Sequence, residues 1–434
     1  MNLTIVSLIL FALYFMLVWK SGRTYPILYM FFFTFFLQYI FSTYLIYNNY
    51  EVLGKQMPIK QEVLFGYAVP ALSFLFLGML LFNKDVDIQE AFKNINPRKA
   101  IRLGYLLLAI SYGFDLAVFS GLSILSSIAS FTYYLKYLAG FCFLFSGSIT
   151  GYLICGLVYS QLLLTVLSSG VFIDLIVWGN YLLYFIALKF RLSFFSRAAL
   201  FLSAIPLLFV IQSVKNEYRS VVWKNKQEGS LGLFTELAQK QNEKKPDESF
   251  KESDGVISTV GRLNQGWHLG LTLRRVPLKE PFSNGEEMFS DIASSILPRF
   301  LFPDKKVIHT REKFRKYTGH KLGPSTSMTI GILGDFYINF GRVGSYIGLF
   351  IFGALVARLV YFFNRKFIID SDPVNIIWLP FIFSYLVRAD NDFYVFFNSM
   401  LKGFVIFFAV NYLRYQFIEP RVSTKPVVGI SKSK

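Results

Sequence analysis

All three histidines of this 434-residue chain, His268, His309 and His320, fall in one polar block that runs from Lys215 to about Ser325. Arg262, Arg274, Arg275, Arg299 and Lys305 share the block. Imidazole titrates near neutral pH and can take up a proton. Guanidinium presents a planar fork that matches phosphate oxygens. Such a set suits a reaction in which an anionic group departs while a hydroxyl loses its proton. His268, close in sequence to Arg262, Arg274 and Arg275, is one candidate base, and Asp335 is the other. Glu286 and Glu287 rank lower, because a first-turn helix position already accounts for them through the helix dipole.

A metal is not expected. The histidines stand far apart, without the i,i+4 pair of a zinc hydrolase helix. The nearest DxD element, Asp85-Val-Asp87, lies in a mixed-charge loop outside the block. Cys142 and Cys155 both fall in apolar stretches, so neither a disulfide framework nor a thiolate site is indicated. No cofactor is called for.

These groups must be positioned by a hydrophobic scaffold. With 54% apolar residues, 18% aromatics and a mean hydropathy of +0.46, the chain reads as an all-α polytopic membrane protein. About eleven apolar runs are long enough to cross the bilayer, near 3–19, 26–48, 61–82, 101–119, 124–146, 150–168, 171–189, 197–213, 343–363, 374–388 and 393–413. Continuous apolar runs exclude the alternating pattern of an outer-membrane barrel. Met1 to Trp19 lacks a basic n-region and a small-residue cleavage site, so it reads as a retained span.

Lysine and arginine cluster in alternate loops: Lys20 and Arg23; Lys84 to Arg102; Lys189 to Arg197; Arg365 and Lys366; and the tail from Arg414. The positive-inside rule then puts the N-terminus outside, the C-terminus in the cytoplasm and the block on the outer face. The charge of +17 is mostly this topology signal. No basic stripe interleaved with stacking aromatics points to nucleic acid, whereas the lipid bilayer is an expected partner. The chain divides into an N-terminal bundle (1–214), a large outer loop (215–325), a C-terminal membrane region (326–415) and a tail (416–434).

Within the loop, residues 240–254 have a linker composition and 261–325 the more structured, site-bearing character. A capping box at Ser283 and Glu286 predicts a helix with a Met288, Ile292 and Ile296 stripe, ended by Pro298. Arg299 would be presented just past it, or be an ordinary solvated arginine. His309 and His320 belong to a basic stretch (305–321) suited to phosphate or headgroups. Among intramembrane charges, Asp115, Asp174, Arg388, Asp390 and Asp392 could line a saccharide-facing rim, or stabilise the bundle. Lys136 needs a partner or a wet cavity.

The run Gly331-Ile-Leu-Gly-Asp335-Phe-Tyr337-Ile-Asn339-Phe-Gly-Arg-Val-Gly344 is apolar yet carries an aspartate, an asparagine and four glycines. Asp335 there is either a base or acceptor-orienting carboxylate, or the N-cap of the following span. The succession of many spans, a large loop after the eighth, Leu297-Pro298-Arg299, Phe302-Pro303-Asp-Lys305 and Gly334-Asp335-Phe-Tyr337-Ile-Asn339-Phe-Gly341 resembles the bacterial O-antigen and oligosaccharide repeat-unit polymerases. The likeness covers the architecture of the whole chain, with its motifs confined to about residues 262–344.

That resemblance implies a GT-C-like, metal-independent inner-membrane glycosyltransferase. It would move a growing glycan from undecaprenyl diphosphate to the next lipid-linked repeat, with a chain-length regulator as a further partner. His268, Asp335 and Arg299 would be catalytic; Arg262, Arg274, Arg275, Lys305, Tyr337 and Asn339 would bind diphosphate or saccharide. A ligase acting on lipid A core shares the same donor and loop. A flippase would more naturally show paired broken helices around a midplane site, and a membrane acyltransferase would centre on an intraspan histidine.

Overall fold

The computed structural model describes residues 2–49, 56–121, 126–224, 228–243, 254–296, 310–323, 326 and 328–418. Among these residues the regular secondary structure is entirely helical. Long apolar helices come first: α1 (Leu3–Lys20), α2 (Ile27–Asn48), α3 (Gln61–Phe82), α4 (Pro97–Phe119), α5 (Ile128–Phe145), α6 (Ile149–Ser169), α7 (Ile173–Lys189) and α8 (Phe194–Lys215). Shorter helices form the polar block: α9 (Leu231–Glu243), α10 (Asp254–Leu263), α11 (Gln265–Arg275), α12 (Glu286–Ile296) and α13 (Thr310–Thr318). The chain then re-enters apolar helix as α14 (Gly331–Phe363), α15 (Pro373–Phe383) and α16 (Phe393–Leu413).

Nine helices among the described residues are long and apolar enough to cross a bilayer, which makes this a multi-pass helical membrane protein. They answer to nine of the eleven expected spans. The other two are α7, at 17 residues, and the shorter α15. Outward-facing positions are apolar, as lipid contact requires: Leu116, Phe119, Ile149, Leu153 and Leu157 are all exposed.

The tightest crossing is between α3 and α14. A Cβ on Gly78 would fall 2.1 Å from the Phe350 carbonyl oxygen, and one on Gly353 would fall 2.3 Å from that of Leu75. Reciprocal glycines let the two backbones touch, the small-residue packing that drives helix association in lipid.

Two buried cations of the bundle have clear partners. Lys136 sits in an aromatic cage, its Nζ 3.4 Å from the Tyr133 ring centre and 5.6 Å from that of Tyr137. Arg414 is expected in the cytoplasmic tail but is buried at the end of α16, with Nη2 2.7 Å from Asp372 Oδ2. Asp372 also faces Lys99 at 3.6 Å and caps α15 through the Val374 amide, so this triad clamps α4, α15 and α16 together.

α14 is not one straight span. Gly341 has φ 66° and ψ −168°, a conformation nearly restricted to glycine, and it separates Gly331–Phe340 from the remainder of the helix. Ten helical residues rise about 15 Å, half a bilayer core. Every residue from Gly331 to Asn339 is buried, so this half-helix runs through protein on all sides. The expected ninth span, 343–363, is its continuation.

Candidate functional site around the broken helix

Four elements converge on the half-helix Gly331–Phe340: α11, α12, α13 and the start of α16. Two of its side chains, Asp335 and Asn339, lie one turn apart on one face. Each closes the N-terminus of another helix.

Asp335 is fully buried, and its Oδ2 accepts the amide of Phe393, the first residue of α16, at 2.8 Å. Asp392 accepts the Val395 amide of the same helix end at 3.0 Å. Two carboxylates thereby serve donors that lack intrahelical partners, at the positive end of the helix dipole. Asn339 does the same for α12, its Oδ1 accepting the Met288 amide at 3.1 Å while its Nδ2 donates to the Asp335 carbonyl at 2.8 Å.

The other oxygen of Asp335 meets Lys313. The ammonium of this α13 residue stands 2.7 Å from Asp335 Oδ1 and 2.9 Å from Asp291 Oδ2 on α12. Lys313, Asp291, Asp335 and Asp392 are all buried, so one ammonium answers three carboxylates away from water. Burial pulls the Lys313 ammonium down, but Asp335, Asp392 and Asp291 outweigh it and hold the lysine charged well above its ordinary range. Burial likewise pushes the Asp291 carboxyl up, with Lys313 pulling the other way.

Two sequence expectations about helix caps are corrected here. Asp335 does not cap its own span; it lies inside the half-helix and caps α16 instead. It has no solvent access: one oxygen takes an amide and the other takes an ammonium. The Ser283–Glu286 capping box is also replaced. The Ser283 hydroxyl donates to Asn339 Oδ1 at 2.8 Å, and Asn339 supplies the cap.

The stripe expected on α12 rotates accordingly. Met288, Asp291 and Ser294 face inward, whereas Phe289 (75%) and Ile296 (56%) are exposed. Leu278 and Phe340 are exposed as well.

His268 lies on α11, half-buried. Its Nδ1 is 2.9 Å from Gln265 Oε1, so in the neutral ring Nδ1–H donates to the amide oxygen and Nε2 is the proton-accepting nitrogen. Its ring packs edge-on to Phe314, the neighbour of Lys313, at 5.4 Å, and Phe314 in turn contacts the ring of His320 at 6.4 Å. Asn264, which accepts from Thr43 of α2 and from the Trp267 amide, fixes the start of α11.

The expected arginines divide. Arg274 is exposed at the end of α11. Arg275 donates from Nε to the Lys316 carbonyl at 2.6 Å and so fastens α11 to α13. Arg315, Lys316 and Lys321 are exposed on or just after α13, giving the α11–α13 pair a cationic face above the buried lysine. Glu287 accepts from Lys316 Nζ and Tyr317 Oη, each at 3.0 Å, and ties α12 to α13. Arg262 is exposed at the end of α10.

Tyr337 donates to the Val276 carbonyl at 3.1 Å, so its hydroxyl, like the amide of Asn339, is engaged within the fold. Arg299, Lys305 and His309 lie outside the described residues.

Sequence reasoning missed Lys313 and Asp291. Lys313 is one cation in a run of basic residues, and the signal that could have isolated it is its neighbour Phe314: a single apolar position marks the face of α13 that turns inward. Asp291 stands three residues after Met288, on the face that is buried. Among the described residues no cluster of three or more His, Cys, Asp or Glu side chains is arranged to hold a metal ion. No protein-family model matches the chain, and neither a curated protein nor a solved structure matches it.

Proposed function

We propose that this protein is a membrane glycosyltransferase that polymerises undecaprenyl-diphosphate-linked oligosaccharide repeats at the outer face of a bacterial inner membrane. The observation that carries the reading is the cationic face of α11 and α13, anchored through Lys313 to a half-helix inside the membrane bundle. A lipid-linked diphosphate has to be met by fixed positive charge at the bilayer surface, next to apolar surface that receives its tail. Arg274, Arg315 and Lys316 supply the first; Leu278, Phe289 and Ile296 supply the second.

In the reaction, the acceptor hydroxyl oxygen forms a bond to the anomeric carbon of the donor. The bond from that carbon to the diphosphate oxygen breaks, and the electron pair leaves with the diphosphate. The cationic face offsets this developing charge where the dielectric is low. His268 takes the acceptor proton on Nε2, with Gln265 holding the ring tautomer. Asp335 is a positioning residue that fixes Lys313 and the start of α16. No metal takes part in these steps.

The eleven-span, GT-C-like topology belongs to the same reading. Counting α7 and α15 as crossings places α1 to α8 before the loop and three spans after it, with the N-terminus outside and the C-terminus in the cytoplasm.

The test is to incubate purified protein with lipid-linked repeats and resolve the products by length. A ladder of polymers is expected. Transfer only to lipid A core would make the protein a ligase, and absence of transfer to either acceptor would refute the glycosyltransferase reading.

A further inference from the structure

A second constellation lies where α5, α7 and residues 384–392 meet. Tyr134 stacks on Trp178, with ring centres 5.7 Å apart and planes 18° from parallel, and Trp178 packs edge-on to Tyr181 at 5.8 Å. Around these rings stand charged and hydrogen-bonding groups. Tyr134 Oη is 3.5 Å from Asp174 Oδ1, a long contact. Arg388 holds Asp390 through two bonds, Nη2 to Oδ2 at 3.0 Å and Nε to Oδ1 at 3.3 Å, and its guanidinium lies 5.6 Å from the Tyr385 ring centre. Asp174 and Arg388 are near enough to attract one another without closing into an ion pair.

The backbone here is held before any ligand arrives. Thr34 donates to the Val387 carbonyl at 2.7 Å, Tyr39 to that of Ala389 at 3.3 Å, and Thr329 to that of Asp390. Two residues after Asp390, the chain reaches Asp392 and Phe393, which bind the start of α16 to Asp335. This cluster and the broken helix therefore share one short pinned segment. Arg388 (31%) and Asp390 (44%) keep side-chain surface open to a ligand.

Charge decides the ligand class. Asp390 neutralises Arg388 and Asp174 adds a further carboxylate, so the cluster offers phosphate no spare positive charge, and the guanidinium repels a simple cation. A neutral, hydroxyl-rich molecule fits: carboxylates accept from paired hydroxyls, guanidinium donates to them, and aromatic rings cover the C–H faces. We infer that Tyr134, Asp174, Tyr385, Arg388 and Asp390 form a saccharide-binding subsite, separate from the cationic face of α11 and α13. It deepens the polymerase reading by naming where the sugar chain is held, and rests on that reading for the choice of sugar.

The experiment uses full-length protein in amphipol, because maltoside detergents carry competing sugar headgroups. Oligosaccharides released by mild acid from the surface polysaccharide of the source cells, hence free of diphosphate, are titrated by calorimetry. Wild-type protein binds, and Asp174→Asn, Tyr134→Ala and Asp390→Asn each weaken binding roughly tenfold or more. Thermal midpoints identify a variant that has lost its fold; Asp390 is open enough to solvent that Asp390→Asn keeps it. No wild-type binding at millimolar sugar, or wild-type affinity in folded variants, overturns the subsite. Variant-sensitive binding without polymer formation refutes the polymerase and leaves the subsite standing; polymer formation with fully binding variants does the reverse.

Discussion

Lys313 Nζ lies 2.7 Å from Asp335 Oδ1, joining a helix of the polar block to a broken helix of the membrane region in a buried ion pair. The lysine also holds Asp291, so its removal strands acidic groups from α12 and α14 together. Lys313→Met is expected to cost about 3–5 kcal/mol, the usual penalty for leaving a buried charge uncompensated. Asp335→Asn should cost less, since its amide oxygen can still accept the Phe393 amide while Lys313 keeps Asp291. Unfolding in micelles measures both. If Asp335→Asn abolished turnover with an unchanged midpoint, Asp335 would be a catalytic base after all.

Gly341→Ala tests the break in α14. An added Cβ would meet only the Phe282 ring at 3.6 Å, an ordinary contact, so the cost arises from the backbone conformation. At φ 66° and ψ −168° that cost is about 1–3 kcal/mol. Relief by straightening would pull Asp335 and Asn339 off the two helix ends they cap. The expected outcome is a lower midpoint together with loss of activity.

Apolar run lengths carried the membrane class and nearly all of the spans, because lipid imposes a long, continuous pattern. The site was less legible for an identifiable reason. Asp335 was singled out for being an acid in an apolar run, but its partners lie at Lys313 and Phe393, and a linear reading contains no such pairing. Ser283 and Glu286 satisfied the local rule for a capping box, and a tertiary cap from Asn339 displaced it. Lys136 was correctly read as needing a partner, which turned out to be aromatic.

Asn339 offers a separable test of that tertiary cap. Asn339→Leu removes the acceptor for the Met288 amide and for the Ser283 hydroxyl, and a lost cap costs about 0.5–2 kcal/mol. Asn339→Asp keeps the acceptor oxygen but not the donor to the Asp335 carbonyl, so it should retain more stability. Amide exchange in α12 reads the difference: the first turn should lose protection in the leucine variant and keep it in the aspartate one.

Arg274 and Arg275 are neighbours with different expected roles. Arg274 is exposed, so Arg274→Gln should raise KM for a lipid-linked repeat roughly tenfold, the worth of one charge-assisted contact, and leave the thermal midpoint alone. Arg275 holds the Lys316 carbonyl, so Arg275→Gln should lower the midpoint by loosening α11 from α13. The reversed pattern would mean that Arg275 is the one that faces substrate.

Acid should loosen the junction of α12 with α13 through Glu287. Burial alone would raise its carboxyl, but hydrogen bonds from Lys316 and Tyr317, with the charge of Lys316, outweigh burial and hold it below its ordinary value of 4.5. A carboxyl depressed on folding contributes stability that is present above that ordinary value and is lost as pH falls through its folded value. Asp291 acts in the opposite sense, because burial raises its carboxyl and folding is then eased by protonation. Comparing wild type with Glu287→Gln isolates the first effect. Midpoints followed between about pH 3 and 7 should separate above pH 4.5, with the wild type higher, and converge at the acid end as Glu287 takes up its proton. Parallel curves over the whole range would mean that Glu287 does not link α12 to α13 in its ionised form.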